Sequence, residues 1–136
     1  FLVASAVRAF FAQRLVRRLC PLCKAPADLD PAYLESVRFP SKVPGTPMRA
    51  VGCEACRGSG YQGRLAIYEV CLVTGALQHL VNSRAHPAEM NRQALRDGYL
   101  PMREYGFQKV LAGETTIEEV LAVTATDRSA HEMSLG

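Results

Sequence analysis

The chain has 136 residues, of which 49% are hydrophobic, and this is enough for one ordinary domain or two small lobes around a packed core. Its 16 basic and 13 acidic residues give a net charge of +3. That charge is too small to indicate a nucleic-acid-binding protein by itself, so any basic surface that binds a partner must be local.

The first predicted element is an amphipathic helix over residues 1–19, because apolar side chains recur there at steps of three and four residues. Pro21 ends it. The chain enters this pattern directly at Phe1 rather than at a Met, which indicates a fragment of a longer polypeptide. Arginines interrupt the pattern, so it does not fit a membrane-spanning helix. Its apolar part precedes its basic part, which is the reverse of a signal peptide, and we expect a cytoplasmic protein.

A short helix and two strands are predicted next. Asp30 before Pro31 is a typical N-cap, and the helix is expected over Pro31 to Val37. A proline-rich loop precedes a short strand over Met48 to Val51. The nearly continuous apolar run from Arg64 to Val73 predicts a buried strand.

Four helices are predicted after this strand, and prolines, glycines and threonines mark their limits. They cover the stretch after Thr74, the stretch from Pro87 to Gly98, the stretch from Met102 to Gly113, and a last stretch whose capping box places Thr115 or Thr116 three residues before Glu118 or Glu119. Residues 127–136 show no periodicity and are predicted to be a flexible tail.

The sequence contains two pairs of cysteines with metal-ligand spacing. Cys20 and Cys23 form one Cys-x2-Cys pair, and Cys53 and Cys56 form the other. Two such turns can complete a tetrahedron of thiolates around one zinc ion, which needs no open coordination position when its role is structural. The interval between the pairs is longer than in common zinc ribbons, and the predicted Pro31 helix accounts for it. The fifth cysteine, Cys71, lies in the apolar run and is predicted to be a packed side chain.

Other roles for the four thiols are weaker or remain open. A redox-active pair would need a strand-to-helix context that neither pair has, and the absence of a secretory signal disfavours disulfides. An iron–sulfur cluster uses the same four thiolates, so the ligands alone do not exclude it.

Two glycine motifs overlap the second cysteine pair. The glycines from Gly58 to Gly63 match G-x-G-x-x-G, but a dinucleotide site requires a preceding strand and a following helix, whereas here a cysteine turn precedes and a strand follows. The segment from Cys53 to Gly60 also matches the C-x-x-C-x-G-x-G element of DnaJ-type co-chaperones. That family uses four copies and this chain has one, so a client-binding role is a weak alternative.

Taken together, three segments and the C-terminal stretch resemble the assembly ATPases of bacterial type II secretion and type IV pili. The matching stretches are Ala12 to Lys24, Gly52 to Arg64, Ile67 to Val70, and the C-terminal positions from Met102 to Leu121 that include Gly113 to Thr116. The departures are Ser59 in place of the usual threonine, Ala66 in place of a common glycine, and Tyr105 in place of a frequent aspartate. None of them is a cysteine of the two pairs.

The resemblance implies a mixed α/β fold made of the C-terminal parts of such an ATPase. Residues 1–19 would be the last helix of a RecA-like P-loop domain, 20–62 an inserted four-cysteine zinc subdomain, 63–73 the returning strand of the RecA-like domain, 74–126 a C-terminal helical subdomain, and 127–136 the tail. No G-x-x-x-x-G-K-[ST] phosphate loop occurs in the sequence, so ATP and magnesium are expected to bind only in the full-length protein.

The resemblance also implies partners. Such ATPases resemble hexameric motors on the inner-membrane face, so we expect contacts with neighbouring subunits of a ring, with platform or cytoplasmic-domain proteins of the machine, and with anionic lipid. The candidate interface or nucleotide-proximal basic residues are Arg14, Arg17, Arg18 and Arg64. The secretion, pilus and DNA-uptake machines share these motifs.

The alternative function is a stand-alone zinc-ribbon module that binds nucleic-acid phosphates through the same basic residues. Base stacking normally needs several aromatic side chains, and only Tyr61 lies among these charges. The first interpretation is therefore preferred, with no nucleic-acid partner expected.

Overall fold

The computed structural model describes residues 9–40 and 42–124, and within them the fold is mixed α/β with two small sheets and five helices. The strands are β1 (Ala9–Leu19), β2 (Ala25–Pro26), β3 (Met48–Arg49) and β4 (Tyr61–Leu72). The helices are α1 (Pro31–Ser36), α2 (Gly75–Asn82), α3 (Pro87–Arg96), α4 (Met102–Leu111) and α5 (117–124).

The long strands β1 and β4 form an antiparallel ribbon that brings the two ends of the cysteine-bearing segment together. The ladder runs from Ala9 opposite Leu72 to Leu19 opposite Tyr61. Just beyond it the backbone N–H of Cys20 donates to the carbonyl of Gly60 at 2.9 Å. Residues 20–60 therefore leave and re-enter the ribbon at one end, and the short β2–β3 pairing narrows this insertion again at its base.

The helix predicted over residues 1–19 is wrong for the described part of that range, which is the strand β1. The predicted stripe included Phe11, Leu15 and Leu19, and positions four residues apart share a face in a strand as well as in a helix. A helix would bury this stripe, whereas Phe11 is 64% and Leu15 51% exposed. Pairing with β4 makes this segment a strand instead of a helix. This pairing is a tertiary effect that cannot be read from the local pattern of apolar residues. Residues 1–8 lie outside the described residues.

The other predicted elements are present with small shifts in their limits. Asp30 caps α1 by accepting from the N–H of Ala32 at 3.1 Å, and Thr74 caps α2 by accepting from Leu77 at 3.1 Å. Strand β4 begins at Tyr61 instead of Arg64, and the predicted strand at Met48 is only two residues long. The predicted tail over 127–136 lies outside the described residues.

Two apolar clusters hold the fold together. One packs the ribbon against α4 through Val16, Ile67 and Met102. The other joins residues after α1 to the last two helices and consists of Val37, Phe39, Phe107, Val110, Leu111, Ile117 and Val120. The second cluster thus includes side chains of the cysteine-bearing segment and of the C-terminal helices. No helix among residues 9–40 and 42–124 has the length and apolar character needed to cross a membrane.

Candidate metal centre

The first cysteine turn follows directly from the end of β1. Leu19 and Cys20 are buried, with 2% and 0% of their surface exposed, because the chain passes beneath the end of the ribbon there. The turn closes when the N–H of Lys24 donates to the carbonyl of Cys20 at 3.1 Å. Pro21 and Leu22 lie on the outside of this turn, so Cys23 comes back to the same side as Cys20.

The second turn is built from backbone hydrogen bonds around Cys53 and Cys56. The N–H of Gly58 donates to the carbonyl of Cys53 at 2.8 Å, and that of Ser59 to Cys56 at 3.2 Å. Gly60 then has a positive φ of 83°, and a Cβ there would lie 2.6 Å from the Cβ of Ala50. Only glycine fits this position, so the glycines of the G-x-G-x-x-G match shape a cysteine turn and not a nucleotide site.

The structure brings the four predicted cysteines together. All four Sγ atoms lie within 4.8 Å of one another, and the pairs Cys20–Cys53 and Cys23–Cys56 are each 3.8 Å apart, with Cys53–Cys56 at 3.7 Å. A tetrahedral ion with metal–sulfur bonds of about 2.3 Å separates its ligands by roughly 3.8 Å. All four thiols are free rather than disulfide-bonded. Sulfur atoms within 4.8 Å of one another surround the space of a single ion, whereas a cluster of several irons holds its thiolates farther apart.

Backbone N–H groups point at two of the sulfur atoms and make their protonation unequal. Cys56 Sγ accepts from the N–H groups of Cys53 and Gly60, both at 3.2 Å, and Cys23 Sγ accepts from Gly52 at 3.4 Å. Burial alone raises the pKa of Cys56, but the hydrogen bonds outweigh it and lower that pKa to about 6. Burial raises the pKa of Cys23 to about 11. One ligand is therefore already a thiolate at neutral pH, and another must lose a proton to a metal.

The four basic residues singled out in the sequence lie in different environments. Arg14, Arg18 and Arg64 are exposed, and the Arg14 guanidinium donates to the adjacent carbonyl of Gln13 at 3.1 Å. Arg17 instead pairs with Glu119 of α5 at 3.1 Å and lies over the Tyr61 ring at 4.1 Å from its centre. The Arg17 guanidinium covers one face of the Tyr61 ring, which leaves less of this ring available to stack on a base and disfavours the nucleic-acid alternative.

Residues 113–116, which we call the joint, connect the cysteine turns to the last helix and were not predicted to do so. All four residues contact the end of the ribbon or the first turn. Lys24 Nζ donates to the Gly113 carbonyl at 2.9 Å, and the Leu19 N–H donates to the Glu114 carbonyl at 2.9 Å. Thr115 Oγ1 donates to the Arg17 carbonyl at 2.8 Å, and the hydroxyl oxygens of Tyr61 and Thr116 are 3.0 Å apart. The sequence signals here were a capping box and the family resemblance of Gly113 to Thr116, and neither indicated contact with the cysteine turns. The capping box is half present, since Thr116 accepts from the Glu119 N–H at 3.4 Å while the Glu119 carboxylate accepts from the N–H of Arg17.

Comparison with known proteins identifies the family to which this chain belongs. The sequence profile of the family described as "Type II/IV secretion system protein" matches residues 1–122. The chain belongs to this family. It is 42% identical over 131 residues to the type IV pilus assembly ATPase PilB of Myxococcus xanthus, which covers 94% of this chain and 23% of the relative. It is 41% identical over 124 residues to type II secretion system protein E of Pseudomonas aeruginosa, covering 91% of this chain and 24% of the relative.

The chain spans only a small part of these relatives. The covered share is 14% for the type IV pilus assembly ATPase PilB of Thermus thermophilus, which is 37% identical over 126 residues and covers 91% of this chain. The predicted family is thus confirmed, and the relatives that match over most of this chain include proteins of both the type IV pilus and the type II secretion machines.

Proposed function

We propose that this chain is a C-terminal part of a hexameric motor ATPase that powers type II protein secretion or type IV pilus assembly. The observation that carries the proposal is the family match over residues 1–122, combined with relatives named type IV pilus assembly ATPase PilB and type II secretion system protein E. The ATP-hydrolysing machinery, including the phosphate loop, would lie in the part of the relatives that this chain does not span. The contribution of these residues is then mechanical and not catalytic.

Within that motor, the four cysteines would hold one structural zinc ion. The support is the donor set, the sulfur separations of 3.7 and 3.8 Å, and the N–H groups that point at Cys23 and Cys56. When bound, zinc supplies a charge that holds four thiolates together and so fixes both turns. The turns themselves have few buried apolar side chains, which is why an ion is needed there.

The joint explains how such an ion could matter to the rest of the molecule. Its four residues contact Arg17, Leu19, Lys24 and Tyr61, all of which border one of the two cysteine turns. Fixing the turns therefore also fixes the start of α5 relative to the ribbon. In a motor, this would transmit strain between the nucleotide-binding part and the C-terminal helices.

Metal content and melting test the zinc module directly. We expect one zinc per chain and, after chelation, the loss of the single cooperative melting transition, because the cysteine turns then unfold before the helical core. Changing Cys53 and Cys56 to serine should abolish zinc binding, and changing Cys71 to serine is the matched control that should keep it. Full melting cooperativity after complete chelation would rule out a structural role for the metal.

The exposed arginines near the turns are proposed to contact partners, either neighbouring subunits, platform proteins or anionic lipid on the inner-membrane face. Arg18 and Arg64 are better probes than Arg17, since reversing the charge of Arg17 would also break its pair with Glu119. We expect Arg18→Glu with Arg64→Glu to reduce sedimentation with phosphatidylglycerol vesicles. Lys42→Glu with Arg92→Glu changes the net charge equally on other exposed residues and serves as control. Equal binding by both double variants would contradict a localised basic surface.

A further inference from the structure

The hydrogen bonds made by the four sulfur atoms are unevenly distributed, and one of them involves a side-chain amide. Cys56 and Cys23 accept from backbone N–H groups. The backbone N–H of Cys20 is used in the bond to the Gly60 carbonyl at 2.9 Å. Cys20 Sγ lies 3.8 Å from Cys53 Sγ and donates to the amide oxygen of Gln62, with Sγ and Oε1 3.9 Å apart.

This contact has the orientation suited to a protonated thiol, in which Cys20 donates to the amide oxygen. A metal-bound thiolate has no proton and can only accept. Rotation of the terminal amide by about 180° exchanges its oxygen and nitrogen with almost no change in shape, so that Gln62 Nε2 would then face the sulfur. The same side chain thus fits both the empty and the loaded site.

A β-bulge explains why Gln62 reaches the sulfur. In the ladder, Arg17 is opposite Arg64 and Leu19 is opposite Tyr61, so Gln62 and Gly63 of β4 together face the single residue Arg18 of β1. Gly63 has a φ of 76°, a left-handed conformation that glycine adopts without strain and that breaks the regular extended backbone of β4 there. The bulge interrupts the alternation of side chains along β4. Gln62 is thereby turned toward Cys20 at the end of the ribbon.

We propose that Gln62 is a positioning residue of the metal centre, whose side-chain amide donates to the Cys20 thiolate when the ion is bound. Cys20 is fully buried, and four thiolates around a divalent ion carry a net charge of −2 that nearby N–H dipoles stabilise. Gln62 would thus donate a hydrogen bond to the Cys20 sulfur, as backbone N–H groups do to the sulfur atoms of Cys23 and Cys56. The inference rests on the proposed zinc site and adds a residue outside the ligand set.

The test measures zinc affinity and the cobalt spectrum of the 136-residue chain and its variants. The wild type is measured first, and its binding of one zinc establishes the site independently of Gln62. Gln62→Met keeps the length of the side chain and removes the donor, and Gln62→Ala removes the side chain. Gln13→Ala, at an exposed position of β1 in the same ribbon, is the matched control. Affinity is read by competition with a chromophoric chelator.

We expect Gln62→Met and Gln62→Ala to weaken zinc binding by roughly 10- to 100-fold, the usual effect of removing an outer hydrogen bond to a ligand, while Gln13→Ala leaves it unchanged. Both Gln62 variants should also move the sulfur-to-cobalt charge-transfer band to longer wavelength, because a sulfur atom that loses a hydrogen bond is a better electron donor. Loss of affinity in Gln62→Ala alone would mean that the side chain acts by its volume and would overturn the inference. So would an unmoved band or wild-type affinity in Gln62→Met.

Discussion

The cysteine turns and the helical core are stabilised by different forces. Around the turns, large apolar side chains face solvent, with Leu22 75% and Val51 49% exposed. In the core, Phe107 is 2% and Val120 0% exposed. The core can therefore hold its shape by burying apolar surface, whereas the turns depend on backbone hydrogen bonds and on the ion that the thiols would bind. The joint is where the two kinds of stabilisation meet.

Removing the metal should separate the two regions most clearly. Apparent binding free energies of structural zinc sites are about 10–16 kcal/mol, and this stabilisation acts on the turns. After chelation we expect rapid hydrogen exchange at the N–H groups of Cys53 and Gly60, which donate to Cys56 Sγ in the folded turn. The N–H of Ala112, bonded to the Gln108 carbonyl at 3.0 Å at the end of α4, should stay protected. Site-resolved exchange with and without chelator measures both.

Two results of that exchange measurement would contradict the idea that the cysteine turns and the helical core are stabilised separately. Equal loss of protection in the turns and in α4 would mean that the core also depends on the ion. Full protection of the turns without metal would mean that their backbone bonds suffice. The first result would extend the role of the joint, and the second would remove the need for a structural ion.

The converse experiment weakens the core and leaves the cysteines untouched. Phe107 contacts Phe39 with ring centres 5.0 Å apart, and both are buried. Phe107→Ala should lower the free energy of unfolding by about 3–5 kcal/mol through lost burial and a cavity. Phe11→Ala, at a position 64% exposed, is the matched control and should cost only about 0.5–1.5 kcal/mol, the value of its ring contact with Tyr68. Denaturant unfolding measures the loss, and a zinc stoichiometry lower than that of the wild type would show that the two regions are not separable.

The pH dependence of zinc affinity tests the protonation of the cysteine turns. At pH 7 the Cys23 thiol, with a pKa of about 11, holds a proton that a metal must displace, whereas Cys56, with a pKa of about 6, is ionised. Zinc affinity should therefore rise with pH, by about tenfold per unit from Cys23 alone. Below pH 6 the dependence should steepen, because Cys56 then binds a proton as well. Chelator competition at several pH values measures the slope, and an affinity independent of pH would contradict the assignment of Cys23.

The candidate metal centre was predictable from sequence because its decisive features are local. Two residues between cysteines are enough to fold a turn that presents both sulfur atoms to one side, and the structure brings Cys20, Cys23, Cys53 and Cys56 together as expected. The helices from Thr74 onward were predictable for a similar reason, since caps and breaks lie within a few residues of the ends that they define.

The features that the sequence analysis predicted wrongly or missed depend on contacts between distant segments. Residues 9–19 were predicted to be helical because Phe11, Leu15 and Leu19 fit both periods, and only the pairing with β4 makes the choice. The role of Gln62 follows from a bulge, which is a property of two paired strands and not of one. The sequence of the joint likewise indicates only a capping box, because its contacts with the ribbon form only in the folded chain.

The smallest predicted effect concerns the ion pair that reinforces the joint. Arg17 and Glu119 are 56% and 16% exposed, and the hydrogen bond with Glu119 raises the pKa of Arg17. Glu119→Gln removes the charge but keeps an oxygen that can accept from the Arg17 N–H. Because Arg17 is largely solvated, the expected loss is less than about 1 kcal/mol, and it should shrink further in high salt.

Glu119→Ala removes that oxygen as well and should cost about 0.5–1.5 kcal/mol more, the usual net value of a hydrogen bond. Glu114→Gln is the matched control, since it breaks a similar pair with Lys109 without changing the Glu114 carbonyl that accepts from Leu19. Denaturant unfolding of the zinc-loaded chain at low and high salt compares the three. If Glu119→Ala is no worse than Glu114→Gln, the joint is held by its backbone and threonine contacts alone. A larger loss assigns to Glu119 the contact that ties α5 to the strand leading into the first cysteine turn.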